Sequence, residues 1–137
     1  MPSKRTNRNS RRKLPTIDRL LVVYKTSALE KHGPRGSAAA RAIMIAAHDQ
    51  HLASLDTVRD ALEQTGIPYR FVHRSSFVLP RTLSADLIIT VGGDGTLLST
   101  SSRVADAPVL GVNSAPTFSV GFFCACNATT FAKTLSD

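Results

Sequence analysis

A single carboxylate, Asp94, stands among glycines in the stretch ITVGGDGTLLST (89–100), with Gly92 and Gly93 before it and Gly95 and Thr96 after it. The residues just before the turn are apolar and read as a strand, and residues 96–104 read as a helix. Glycines at a strand-to-helix turn let a ligand approach the backbone closely. The free amides of a helix start favour an anion. A carboxylate on the same turn is out of place if the turn binds only phosphate. It fits a turn that must also handle a hydroxyl group or a metal ion. Asp94 could accept a hydroxyl's proton, or orient that hydroxyl for attack on a phosphoryl group. That is phosphoryl transfer to an alcohol. The plain alternative is a turn in which Asp94 only caps the helix. Two familiar phosphate patterns are absent. There is no G-x-x-x-x-G-K-[ST] loop, and a G-x-G-x-x-G fingerprint starting at Gly93 would need glycine where Leu98 stands.

Other chemistry-bearing residues are sparse. Lys25 follows a strand-like run and would lie at the same sheet edge as Asp94, either touching a phosphate or simply solvated. Cys124 and Cys126 alternate on one face of an expected strand. A lone thiol pair is not a zinc site, so packed, reduced thiols are expected. His48 and His51 are three apart on a helix and could share a ligand. No third ligand is visible, which favours a solvated or capping pair. His32 and His73 read as surface or loop residues, and no metal site is expected.

The elements that must position these residues alternate along the chain. IDRLLVVYK (17–25) reads as a buried first strand. TSALEKHGPRG reads as a loop, broken by Gly33, Pro34 and Gly36. Residues 37–65 are Ala-rich and helix-prone, with a possible join of two helices near His48 and Asp49. Leu52, Leu55, Val58, Arg59 and Leu62 follow a helical period there, and Gly66 stops the helix. PYRFVHR (68–74) is a second strand, SSFVLPRTLS a connector, DLIITV (86–91) a third strand, and PVLGVN (108–113) a fourth. The third is apolar on both faces, as a strand sandwiched by helices should be. Residues 117–123 are expected as a further strand, with Phe118, Val120 and Phe122 on one face and Phe123 on the other. The alternation predicts an α/β fold, a Rossmann-like open parallel sheet with helices on both faces.

Composition sets the bounds. The 137 residues allow one domain with its own core, and the hydrophobic fraction of 42% fits a soluble protein. No apolar run is long enough to cross a bilayer. No apolar run follows the basic start, so no signal peptide is expected. Two cysteines without a framework of pairs suit a reducing, cytoplasmic setting. Of the net charge of +7, residues 1–13 carry +6 with no acid, while the remaining residues are nearly neutral. This tail has no apolar period and is expected to be a disordered leader. A weak nucleic-acid or anionic-surface contact and a transit peptide are its lesser alternatives. The expected division is a basic tail (1–13), an α/β nucleotide-binding domain (14–116) and the start of a connection to a second domain (117–137).

GGDGT after an apolar strand, then PVLGVN, then SVGFFCA, together resemble the amino-terminal domain of the NAD kinase family. The stretches VVYKTSALEKHG and HDQHLASLDTVRDALEQTGI look like the mitochondrial-type branch and its bacterial relatives. The resemblance covers roughly residues 17–137. GGDGT alone is shared with diacylglycerol- and sphingosine-kinase-like proteins, but their P-x-G-T-x-N-D pattern is absent here.

The resemblance implies transfer of the terminal phosphoryl of ATP to the 2′-hydroxyl of the adenosine ribose of NAD, giving NADP. Asp94 would be the proton acceptor or the orienting carboxylate. Gly93 and Gly95, in the motif that Gly92 begins, would let phosphates approach the backbone, and Thr96 would open the helix beside them. Asn113 would be a ligand or a turn-stabilising residue. Mg²⁺ is expected with ATP, and a homo-oligomer for the full-length protein. Neither membrane nor nucleic acid is an expected partner.

The chain departs from the family in three places. Ser99 stands where many bacterial members have arginine. SAPTFS replaces an expected glycine after GVN. The family's second, β-rich domain, which grips the nicotinamide nucleotide, is absent from this chain, so the isolated chain is expected to be inactive. The alternatives are a truncated, non-catalytic nucleotide-binding domain and, more distantly, a lipid kinase.

Overall fold

The computed structural model describes residues 17–76, 85–104 and 106–136. The basic tail and most of the connector SSFVLPRTLS lie outside the described residues. Five strands form one sheet: β1 (Leu20–Tyr24), β2 (Tyr69–His73), β3 (Leu87–Gly92), β4 (Val109–Asn113) and β5 (Cys126–Asn127). Their order is β2-β1-β3-β4-β5, and every pairing is parallel. The helices are α1 (Ala28–His32), α2 (Ala38–Thr65), α3 (Asp94–Ser101) and α4 (Ala128–Ser136). The open parallel α/β sheet expected from the alternation is present. No helix among the described residues is long and apolar enough to cross a membrane.

The sheet is buried from both sides, and its strands are correspondingly apolar on both faces. On one face Leu20, Val22, Leu87, Ile89, Val91 and Val112 meet Val58 and Leu62 of α2 and Phe131 of α4. On the other face Leu21, Val23 and Ile88 pack with Val72, Val104 and Val109. Helix α3 lies against β3 and β4, and Leu97 sits on Gly111 so closely that a Cβ there would fall 2.9 Å from Cδ2. Each fully buried Val, Leu or Phe contributes about 1.5–3 kcal/mol through removal from water.

Helix α2 is one continuous helix of 28 residues rather than two. No Gly or Pro interrupts residues 38–65, and alanine carries the best helix propensity. The Ser37 hydroxyl accepts the Ala40 N–H at 3.1 Å, and Gly66 closes the helix in the left-handed region at φ 68°. Only its second half faces the sheet, through His51, Ser54, Val58 and Leu62, while Ile43 and Ile45 are exposed.

Three further expectations are corrected. The stretch read as loop after β1 holds α1, whose Ser27 hydroxyl accepts the Glu30 N–H at 3.2 Å. Residues 117–123 form turns and no strand. Their backbone amides go to side chains or to the Ala115 carbonyl, not to a ladder, and Gly121 takes φ 57°. Of the two cysteines only Cys126 lies in a strand, and Phe131 belongs to α4. Asn127 starts that helix by accepting the Thr129 and Thr130 N–H groups at 3.0 and 3.2 Å.

Candidate functional site

After β2 the chain crosses to the far side of β1, so the direction of strand addition reverses between β1 and β3. In open parallel sheets ligands bind beyond the carboxyl ends of the strands at such a reversal. Lys25 follows β1 and Gly92 ends β3, and the Lys25 N–H reaches the Val91 carbonyl at 3.4 Å. The glycine turn and Lys25 therefore meet where this topology places a ligand.

The glycines of the turn differ in what they make room for. A Cβ on Gly92 would fall 2.5 Å from the Thr96 hydroxyl and 3.2 Å from Lys25 Cγ, so packing alone demands glycine. A Cβ on Gly93 would make only an ordinary contact with Ser119, and one on Gly95 would meet nothing within 4 Å. Gly95 thus leaves open space at the first turn of α3. Thr96 is buried against Gly92, and its hydroxyl and that of Thr100 have no protein partner among the described residues.

Asp94 does not cap α3. Gly93 is the N-cap and makes no side-chain hydrogen bond, while Asp94 is the first helical residue. Its carboxylate reaches across to the turn at 121–124. Oδ2 accepts the Phe122 N–H and Oδ1 the Phe123 N–H, both at 2.8 Å. These charge-assisted bonds hold the turn against the helix start. Oδ1 also accepts the Cys124 thiol, so Oδ2 is the carboxylate oxygen that keeps a second lone pair for another donor. Cys124 Sγ lies 3.7 Å from Oδ1, and burial first, then the Asp94 charge, push its thiol up to about 11. Burial also raises the Cys126 thiol, so both cysteines are protonated near neutral pH.

Asn113 ends β4 opposite Gly92 in the register. It is buried, with Nδ2 donating to the Ser119 carbonyl at 2.9 Å and Oδ1 accepting the Ala115 N–H at 3.2 Å. A Cβ on Gly121 would fall 2.3 Å from Nδ2. Both ends of its amide thus hold the backbone at 115–119. Ser99 donates to the Thr96 carbonyl at 3.3 Å. Phe122 and Phe123 are exposed beside Asp94, their rings edge to face at 5.2 Å.

His32 is exposed, as expected, but other histidines depart from expectation. His51 is buried, not solvated. It contacts the Ser114 hydroxyl at 2.6 Å and the Lys25 carbonyl at 2.8 Å. Burial lowers its pKa, the Lys25 hydrogen bond opposes this, and the Lys25 charge lowers it further. His48 meets the Ser27 hydroxyl at 2.7 Å and Glu30 at 3.2 Å through the same nitrogen. Ser27 already receives the Glu30 amide, so this is a helix-start cluster and not a nucleophile with its base. His73, at the end of β2, bonds the Thr26 and Ser75 hydroxyls. His51 stood in the sequence in step with Val58 and Leu62, on the face that had to be buried. That period was the available signal for it. Nothing local pointed to Ser114.

A model of the ATP-NAD kinase N-terminal domain matches residues 35–137. Mitochondrial NAD kinase 2 of Rattus norvegicus is 38% identical over 79 residues, covering 56% of this chain and 19% of the relative. An Arabidopsis thaliana NADH kinase is 32% identical over 103 residues, covering 64% of this chain and 32% of the relative. The NAD kinase of Nitratidesulfovibrio vulgaris (strain DP4) is 34% identical over 103 residues, covering 69% of this chain and 33% of the relative. This chain thus spans a third or less of each of these three relatives. Both the matched residues and the glycine turn at the sheet's reversal point lead to one assignment: the chain belongs to the ATP-NAD kinase family and carries its N-terminal domain.

Proposed function

We propose that this domain forms part of an enzyme that transfers the terminal phosphoryl of ATP to the 2′-hydroxyl of the adenosine ribose of NAD. Asp94 carries the reading. It is the one carboxylate on an otherwise side-chain-free turn at the point where the sheet reverses. In this reading the lone pair left on Oδ2 accepts the hydrogen bond of the ribose hydroxyl and then its proton. The open space at Gly95 and the first amides of α3 receive phosphate oxygens. Lys25 supplies a cation on the neighbouring strand end.

Among the described residues no group of three or more His, Cys, Asp and Glu side chains stands ready to hold a metal ion. Asp94 already binds two amides. The residues present do not fit a protein-held metal, so Mg²⁺ enters this proposal with the triphosphate, as is usual for that ion. A cytoplasmic location and a homo-oligomer belong to the same proposal.

A second reading rests on the Asp94–Phe122/Phe123 bonds. They give the carboxylate a structural task, which suits a domain that binds a nucleotide without acting on it. Incubating the purified full-length protein with ATP, Mg²⁺ and either NAD or NADH separates the two. The proposal expects a 2′-phosphorylated dinucleotide. ATP binding with no such product from either dinucleotide would leave the second reading.

A further inference from the structure

We propose that His51 is a positioning residue that locks the segment carrying Lys25 to the turn after β4, and so fixes the floor on which the phosphates of ATP settle. This inference rests on the phosphoryl-transfer reading and adds a residue to it. His51 projects from the middle of α2 and spans two strand ends. Nε2 lies 2.8 Å from the carbonyl of Lys25, just past β1, and Nδ1 lies 2.6 Å from the hydroxyl of Ser114, just past β4. β3, which bears the glycine turn, runs between them.

The partners fix the tautomer. A carbonyl can only accept, so Nε2 carries the proton and donates to Lys25. Nδ1 is then bare and accepts the Ser114 hydroxyl. Ser54, one turn further along α2, donates to the Ser114 carbonyl at 2.7 Å. The same helix thus holds Ser114 at two atoms. Ser114 in turn gives its N–H to the Gly92 carbonyl at 2.9 Å. A continuous set of bonds runs from Lys25 through His51 and Ser114 to Gly92, and the Lys25 side chain closes it by lying against Gly92.

The charged and titratable groups facing His51 are Lys25, Glu30 of α1 and His48 of α2. Burial, aided by the Lys25 charge, favours the neutral ring that this tautomer requires. A leucine would fill the same space but leave the Lys25 carbonyl and the Ser114 hydroxyl without their partner. The role is therefore one of hydrogen-bond direction rather than volume.

The test uses the full-length protein with His51→Leu, His51→Gln and His51→Asn. Glutamine can place a donor where Nε2 lies but no acceptor where Nδ1 lies, so it keeps the Lys25 bond and loses the Ser114 bond. Asparagine reaches Ser114 but not the Lys25 carbonyl, and leucine makes neither bond. The tether needs both bonds, so we expect all three variants to raise the KM for ATP, His51→Leu by about tenfold or more, with kcat changed less, since small misplacements of binding groups carry effects of this size. A KM near the wild-type value in both the asparagine and the glutamine variant would overturn the proposal. If His51→Leu fails to fold, those two still decide it.

Hydrogen exchange of the amides at 24–30 and 113–119 provides a readout without catalysis. Residues 24–30 should exchange faster in the asparagine variant and residues 113–119 in the glutamine variant. The same exchange pattern in the two variants, or no change in either, would overturn the role of His51. Wild-type protein that makes no 2′-phosphorylated product, but shows the expected exchange pattern, would contradict the reaction and not the tether.

Discussion

Gly92 and Gly95 belong to one motif but answer to different forces. Gly92 is glycine because Thr96 and Lys25 fill the space a Cβ would take. A methyl group there must push the Thr96 side chain out of a buried position, at a cost of about 1–3 kcal/mol. Gly95 has nothing within 4 Å of its Cβ position and lies inside a helix. An alanine there should add up to about 1 kcal/mol of helix propensity. Thermal unfolding should therefore show Gly92→Ala less stable than wild type and Gly95→Ala equal or more stable. ATP titration should show the reverse burden for Gly95→Ala, a weakened affinity in a fully folded protein. Unaltered ATP affinity in Gly95→Ala would remove the open space at α3 from the binding site. Residues of this kind are legible in sequence only as a set. GGDGT shows that the turn matters, but which glycine yields to packing and which to a ligand depends on neighbours such as Lys25, far away in the chain.

Strands and long helices were legible because their signals are periodic or continuous. β1 and β3 are apolar throughout, as strands covered on both faces must be, and α2 has neither Gly nor Pro between Ser37 and Gly66. Short elements were missed because their signals are single residues. The Ser-x-x-Glu spacing at Ser27 and Glu30 is a helix-start signature, yet it lies beside Gly33, Pro34 and Gly36 and was read with them as a loop. The turn at 117–123 looked like a strand because its aromatic and β-branched residues have strand-like spacing. Asp94, distant in sequence, and Asn113, just ahead of the turn, supply hydrogen-bond partners instead. Helix α4 begins at Asn127 and is held by Phe131, which is completely buried against β3, β4 and α2. Phe131→Ala should cost about 3–5 kcal/mol. Chemical denaturation would measure it. A loss below about 1 kcal/mol would mean that α4 contributes little to the core.

At the scale of the whole molecule, exposed large apolar side chains fall in two places, Ile43, Ile45 and Leu52 on α2 and a larger set on α3 and the segment that Asp94 holds. Leu98, Phe118, Val120, Phe122 and Phe123 are all exposed, Val120 at 88%. Single exposed apolar residues are ordinary, but a group of this kind marks a surface that associates. The isolated 137-residue chain should therefore self-associate, and sedimentation at increasing concentration would detect it. A monomer at all concentrations would show that this surface needs no cover. The relatives matched here are at least three times the matched length, so the reaction is to be sought in the full-length protein. There the central claim is that Asp94 acts on the substrate hydroxyl and does not merely hold the turn at 121–124. Measuring turnover and ATP affinity together in Asp94→Asn tests it most directly. The account predicts turnover lower by about 10²–10⁴-fold, with ATP affinity changed much less. Near-normal turnover, or turnover and affinity falling in equal proportion as the turn loosens, would contradict it.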